Sequence, residues 1–90
     1  DDLEPYKVTA IWDEHTLPQA IRGHHSTKPG VWGILRVFEG EVRLVFEDNS
    51  APIVVTPAHP ALIPPELKHH VEITGAMRMR VEFYKARPNI

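Results

Sequence analysis

Ninety residues with 42% apolar content are enough for one small domain, well short of the length at which cores split. The absence of cysteine excludes disulfide frameworks, thiolate zinc sites and cysteine nucleophiles, and a net charge of −2 leaves no basic field for a nucleic acid backbone. No apolar run approaches the roughly 18 residues that span a bilayer, and Asp1-Asp2-Leu3-Glu4 lacks the positive start of a secretory signal, so the expected setting is cytoplasmic with no membrane partner.

In chain order, Tyr6 to Trp12 alternates as a first strand. Asp13 to Gly23 holds polar residues, Pro18 and the short run Gln19-Ala20-Ile21-Arg22, which predicts one helical turn at most. His24 to Gly30 reads as loop, because Ser26, Thr27, Pro29 and Gly30 all favour turns. Val31 to Phe38 is apolar nearly throughout, the pattern of a strand covered on both faces. Glu39-Gly40 predicts a tight hairpin into Glu41 to Glu47, where Val42, Leu44 and Phe46 face one way and Glu41, Arg43 and Glu47 the other.

Asp48-Asn49-Ser50 is the next turn, followed by short strands at Pro52 to Thr56 and Ala61 to Pro64. Pro64-Pro65-Glu66 turns the chain into a strand from His69 to Thr74. The last strand, Met77 to Lys85, sets Met77, Met79, Val81 and Phe83 against Arg78, Arg80, Glu82 and Tyr84. Strands recurring roughly every 8 to 12 residues, with turn signals between them, predict a sandwich or barrel. No repeat, linker or low-complexity segment divides residues 1–90, so they read as one all-β unit.

Four of the six histidines form two adjacent pairs, His24-His25 and His69-His70, each where a loop enters a strand. Neighbours on a strand face opposite ways, and His69 shares its face with Val71 and Ile73, so His69 is the inward member and His70 a surface residue. The first pair lies in loop, where either member could turn inward; His15 and His59 beside polar or proline-rich turns are expected to be exposed. Two imidazoles fall short of the three or four ligands of a tight metal site, so the competing reading is a pair of histidines hydrogen-bonded in a small core. Glu82 is the candidate third ligand, against its alternative as a solvated or arginine-paired glutamate. Arg36 shares a face with Trp32, Ile34 and Phe38, and an arginine there pairs with an acid or binds an anion; Glu82 is its natural partner if the strands adjoin. Glycine-rich phosphate loops, G-x-S-x-G elbows and helical H-E-x-x-H motifs are all missing.

The run His25-Ser26-Thr27-Lys28-Pro29-Gly30-Val31-Trp32-Gly33, followed by Val37-Phe38-Glu39-Gly40, resembles the H-x-T-K-x-G-x-W-G signature of a small cupin family. That family is related to the N-terminal domain of the tellurite-resistance protein TehB and to the YeaR-like proteins. Pro64-Pro65-Glu66-Leu67-Lys68-His69-His70-Val71-Glu72 is similar to the same family's second motif, and Tyr6-Lys7 and Val81-Glu82-Phe83-Tyr84 fit its flanking strands. The methyltransferase domain that follows the cupin in TehB has no room in 90 residues. The resemblance implies a single cupin-like double-stranded β-helix, or jelly-roll, barrel. Its parts are a first strand at 6–12, a first motif and hairpin at 24–47, and a second motif with closing strands at 61–85.

The resemblance further implies that His25 and His69 match the family's two motif histidines, face the barrel interior and bind a divalent metal such as zinc, nickel, iron or manganese, with Glu82, the third candidate from the residues, or waters completing the set. Trp32, Arg36 and Tyr84 would wall the pocket, with Arg36 as an anion partner. The resulting expectation is a homodimeric binding module for a metal, small molecule or small anion, linked through the resemblance to tellurite and oxyanion stress tolerance. A metal-dependent oxygenase or isomerase is the alternative from another class, and a dimerisation domain with an empty barrel is a third. Counting ligands favours binding, because catalytic sites keep three protein ligands and an open position.

Overall fold

The computed structural model describes residues 4–23 and 25–90. Strands β1 (Lys7–Val8) and β2 (Trp12–Asp13) both pair antiparallel with β8 (Arg78–Tyr84). Between them Thr9 donates its N–H to the Val81 carbonyl at 3.0 Å and accepts the Val81 N–H on its hydroxyl at 3.0 Å. The continuous strand predicted over 6–12 is therefore two pieces, with a threonine hydroxyl replacing one carbonyl of the ladder. Helix α1 (Gln19–Arg22) is the single turn predicted; it starts after Pro18 and closes with the Gly23 N–H on the Gln19 carbonyl. Arg22 ties that turn to the preceding loop through the Glu14 carbonyl at 2.6 Å and the Leu17 carbonyl at 3.2 Å.

The remaining strands are β3 (Trp32–Glu39), β4 (Val42–Phe46), β5 (Ile53–Val55), β6 (Ala61–Ile63) and β7 (His69–Ile73). They form two antiparallel sheets, one in the order β1-β8-β3-β6 with β2 also on β8, the other in the order β5-β4-β7. The hairpin predicted at Glu39-Gly40 needs correction. The turn is tight, with Gly40 at φ 71°, but β3 and β4 belong to different sheets and do not pair. Two local features send the chain across instead of back. The β3 register shifts between Val37 and Glu39, and Gly40 lies so close to the Ala76 carbonyl that any Cβ would collide with it.

Alternation decides which side chains enter the core. Leu35 and Val37 of β3, Met79 and Val81 of β8, and Ala61 and Ile63 of β6 meet Val42, Leu44, Phe46, Val55 and Val71 of the second sheet in one buried cluster. The opposite parity of the larger sheet carries Trp32, Ile34, Arg36, Glu82 and Tyr84, of which Ile34, Glu82 and Tyr84 are also buried. The all-β class holds, and two facing antiparallel sheets are consistent with a cupin-like fold. Among the described residues the two ladders do not close into one continuous barrel. No described helix is long and apolar enough to cross a membrane.

Candidate functional site

Two segments far apart in sequence are fastened together at one end of the space between the sheets. His25 and His69 exchange both backbone hydrogen bonds, at 3.0 and 2.8 Å, and form an isolated antiparallel bridge. The Glu66 N–H donates to the Thr27 carbonyl at 3.1 Å, and the Thr27 hydroxyl donates to the Pro64 carbonyl at 3.2 Å. Glu66 sits at φ 64°, a left-handed conformation rare outside glycine, which turns the chain out of Pro64-Pro65 and into β7. These bonds set the His25 and His69 rings edge to face, with centroids 4.2 Å apart and planes at 62°. Phe46 also meets His69 edge to face at 5.8 Å.

Both rings have their tautomer fixed in the same way. His25 Nδ1 lies 3.0 Å from the Gly23 carbonyl and His69 Nδ1 lies 2.8 Å from the Leu67 carbonyl, each two residues back. A carbonyl oxygen only accepts, so Nδ1 carries a proton in both rings, and Nε2 is the atom that each ring leaves for another partner. Burial lowers the His69 pKa most strongly; the Leu67 carbonyl partly opposes this, and charge on His25 or His70 would lower it further. The net direction is down, so His69 stays neutral around pH 7.

The two imidazoles line a cavity of about 270 Å³ between the sheets. Its inner walls are Leu35, Ile63, Val71 and Val81, all buried, with Phe83 beside them; exposed Lys7 and Lys28 stand at its rim. Ser26 and Thr27 also line it, and no carboxylate does so among the described residues. Among the described residues His69, 1% exposed, is its one fully buried polar wall.

Of the residues singled out in the sequence, the structure brings His25 and His69 together here, and His24 lies outside the described residues. Glu82, Arg36, Trp32 and Tyr84 are not in this cavity. In β3 and β8 Leu35 and Val81 point inward, so the even positions beside them face out of the opposite side of the sheet. There Glu82 Oε2 accepts from Arg36 Nε at 3.0 Å and from Arg80 Nε and Nη2 at 3.0 and 2.8 Å, and Oε1 accepts from the Tyr84 hydroxyl at 3.2 Å. Burial would raise the Glu82 pKa, but the hydrogen bonds and charges of Arg36 and Arg80 outweigh it and hold the carboxyl below its ordinary value. The Tyr84 hydroxyl is pushed up, by burial first and then by the Glu82 charge it donates to. Trp32 faces Tyr84 in register and takes the Arg87 guanidinium over its ring at 5.7 Å. Sequence reasoning missed Lys7 and Lys28 as rim residues. Lys7 pairs with inward Phe83, so parity along β8 would have found it.

A TehB-like domain model matches residues 7–81. Two Haemophilus influenzae proteins, each named probable S-adenosyl-L-methionine-dependent methyltransferase TehB, are 31% and 30% identical to the chain over 93% of its length and 32% of theirs. The crystal structure of TehB from Haemophilus influenzae superimposes with a TM-score of 0.80 at 31% identity, covering 91% of this chain and 31% of that one. A crystal structure from Escherichia coli K12 gives a TM-score of 0.82 at 23% identity over 99% of this chain and 88% of that one, a likeness of fold. The chain spans about a third of the length of the curated relatives it matches.

These findings overturn the expected metal cofactor and the cupin module built around a divalent metal or small anion. The relatives' names carry S-adenosylmethionine and methyl transfer. Among the described residues no group of three or more His, Cys, Asp or Glu is placed to hold a metal ion, because Glu82 is spent on the far face by its arginines and only two imidazoles face the cavity. The oxygenase or isomerase alternative, which depended on that metal, falls with it. With a family match that spans most of its length, the chain belongs to the TehB-like domain family.

Proposed function

We propose that the chain acts as the β domain of a TehB-type methyltransferase system, providing a small-molecule cavity while the methyl donor is held elsewhere. The observation that carries this reading is the cavity's lining: apolar walls, two imidazoles held at Nδ1 by backbone carbonyls, a lysine rim and no carboxylate among the described residues.

S-adenosylmethionine does not fit that lining. Its sulfonium and ammonium would meet Lys7 and Lys28, and its ribose diol would find no carboxylate of the kind that grips nucleoside ribose. Among the described residues every strand pairing is antiparallel, so they offer no crevice at the carboxyl ends of parallel strands, and α1 is a single turn. Methyl transfer itself therefore belongs to the portion of such relatives that this chain does not span.

Calorimetry on the purified chain tests the division of labour. S-adenosylmethionine should give no binding heat at millimolar concentration. Binding at tens of micromolar or tighter, with amide shifts at Thr27, Val71 and Val81, would overturn it.

A further inference from the structure

The cavity presents a ligand with an unusual polar offer. His25 and His69 each turn an Nδ1–H to a backbone carbonyl and leave Nε2 for a ligand, and in neutral His69, at the buried end, that atom is an acceptor. The donors of the lining, the Tyr6 and Ser26 hydroxyls and the Lys7 and Lys28 ammoniums, belong to exposed residues at its edge. The Thr27 hydroxyl proton is committed to the Pro64 carbonyl. Among the described residues no hydrogen bond uses Nε2 of either ring, and both rings line the cavity.

From this geometry we infer that the cavity selects small uncharged molecules with an apolar body and a hydroxyl donor, monocyclic phenols above all, whose hydroxyl proton is accepted by Nε2 of His69 or His25. The inference rests on the reading of the cavity as a ligand site.

Each alternative ligand class meets a specific obstacle. A carboxylate or other anion directed at the buried end would face the His69 Nε2 lone pair with no proton to give it, and would meet the lysines only at the exposed rim. An ammonium would leave water for an apolar chamber with two lysines at its mouth. An amide brings a carbonyl for which the buried walls supply no donor, leaving an unsatisfied acceptor. A phenol needs one acceptor, and its ring fills space bounded by Leu35, Ile63, Val71, Val81 and Phe83. The volume, about 270 Å³, lies below the ~300–1,000 Å³ typical of drug-sized sites, which limits the ligand to about one ring.

The test uses the whole chain, labelled with ¹⁵N, and three probes of one size: phenol, its methyl ether anisole, and benzoate. Phenol should shift the Nε2 resonances of the two histidines and bind about tenfold more tightly than anisole, the equivalent of about 1.4 kcal/mol for one hydrogen bond. Benzoate should bind more weakly than phenol. In His69→Phe, and in His25→Phe at the more exposed position, the preference for phenol over anisole should shrink or vanish. Equal binding of phenol and anisole by the wild-type chain would overturn donor selection while leaving the cavity as a ligand site. Tighter binding of benzoate, or a phenol preference that survives both substitutions, would also overturn it. Failure of all three probes to bind would remove the ligand site itself.

Discussion

Glu82 is buried on the outer face of its sheet and still ionised, because the guanidiniums of Arg36 and Arg80 and the Tyr84 hydroxyl converge on its two oxygens. Glu82→Ala would leave two cations and a phenol without their acceptor. Both arginines are about one-third exposed, at 35% and 34%, so solvent screens part of the loss and the expected destabilisation is about 1–3 kcal/mol, read from urea unfolding. The Arg36–Glu82 pairing was legible in the sequence, since an arginine on an apolar strand face demands an acid and Glu82 has the matching parity. Which face of the sheet the pair occupied was not legible, because both parities of β3 carry buried apolar residues. Glu82 and His69 together set a pH dependence. Both have folded pKa values below their ordinary ones of 4.5 and 6.5, so the unfolded chain binds more protons and stability rises with pH across each window. Stability should therefore be full above pH 6.5, fall as the pH drops below it through His69, and fall again below 4.5 through Glu82. Urea midpoints measured from pH 8 to pH 4 check this, and His69→Phe should flatten only the upper limb.

Gly40 ends β3 and decides where the chain goes next. At φ 71° and pressed against the Ala76 carbonyl, it has no room for a side chain and no penalty for its conformation. Gly40→Ala should cost about 2 kcal/mol or more, combining the left-handed penalty of ~1–2 kcal/mol with a backbone collision that something must move to relieve. A thermal melt within a degree of wild type would show that the 75–77 segment yields freely. The turn at Gly40 could be read from the sequence, whereas its partner strands could not. Glu39-Gly40 between two alternating runs is a hairpin signal, and only the bulge after Val37, set by long-range pairing with β8, turns it into a crossing between sheets. Thr9 teaches the same lesson on β1 and β2, where a side-chain hydroxyl inserted in the ladder breaks a strand that alternation alone would run unbroken from 6 to 12.

Across the whole molecule, fold and chemistry separate. The all-β class follows from alternation, turns and the two histidine motifs, but the metal attached to that resemblance required a third ligand, and the parity of β8 carries Glu82 away from His25 and His69. The pairing of this chain with a second copy, expected from its size, remains a proposal, and the outer face of the larger sheet is where it belongs. A 90-residue domain buries only about 60% of the surface its unfolded chain exposes, so it gains more than a large one from further apolar burial. Val8, Trp32 and Phe38 share the outer parity, and Val8 and Phe38 are 45% and 41% exposed, around the buried side chains of Ile34 and Tyr84. The Arg80 guanidinium already lies over the Phe38 ring at 5.6 Å, so part of that face is rigid before any partner arrives. Light scattering at about 100 µM should then give twice the 10.2 kDa chain mass, and Phe38→Glu, which would bury a charge at the centre of the contact, should return it to the single-chain value with the fold intact. A wild-type mass near 10.2 kDa at that concentration would end the dimer proposal, and the exposed apolar side chains would then stand as ordinary surface.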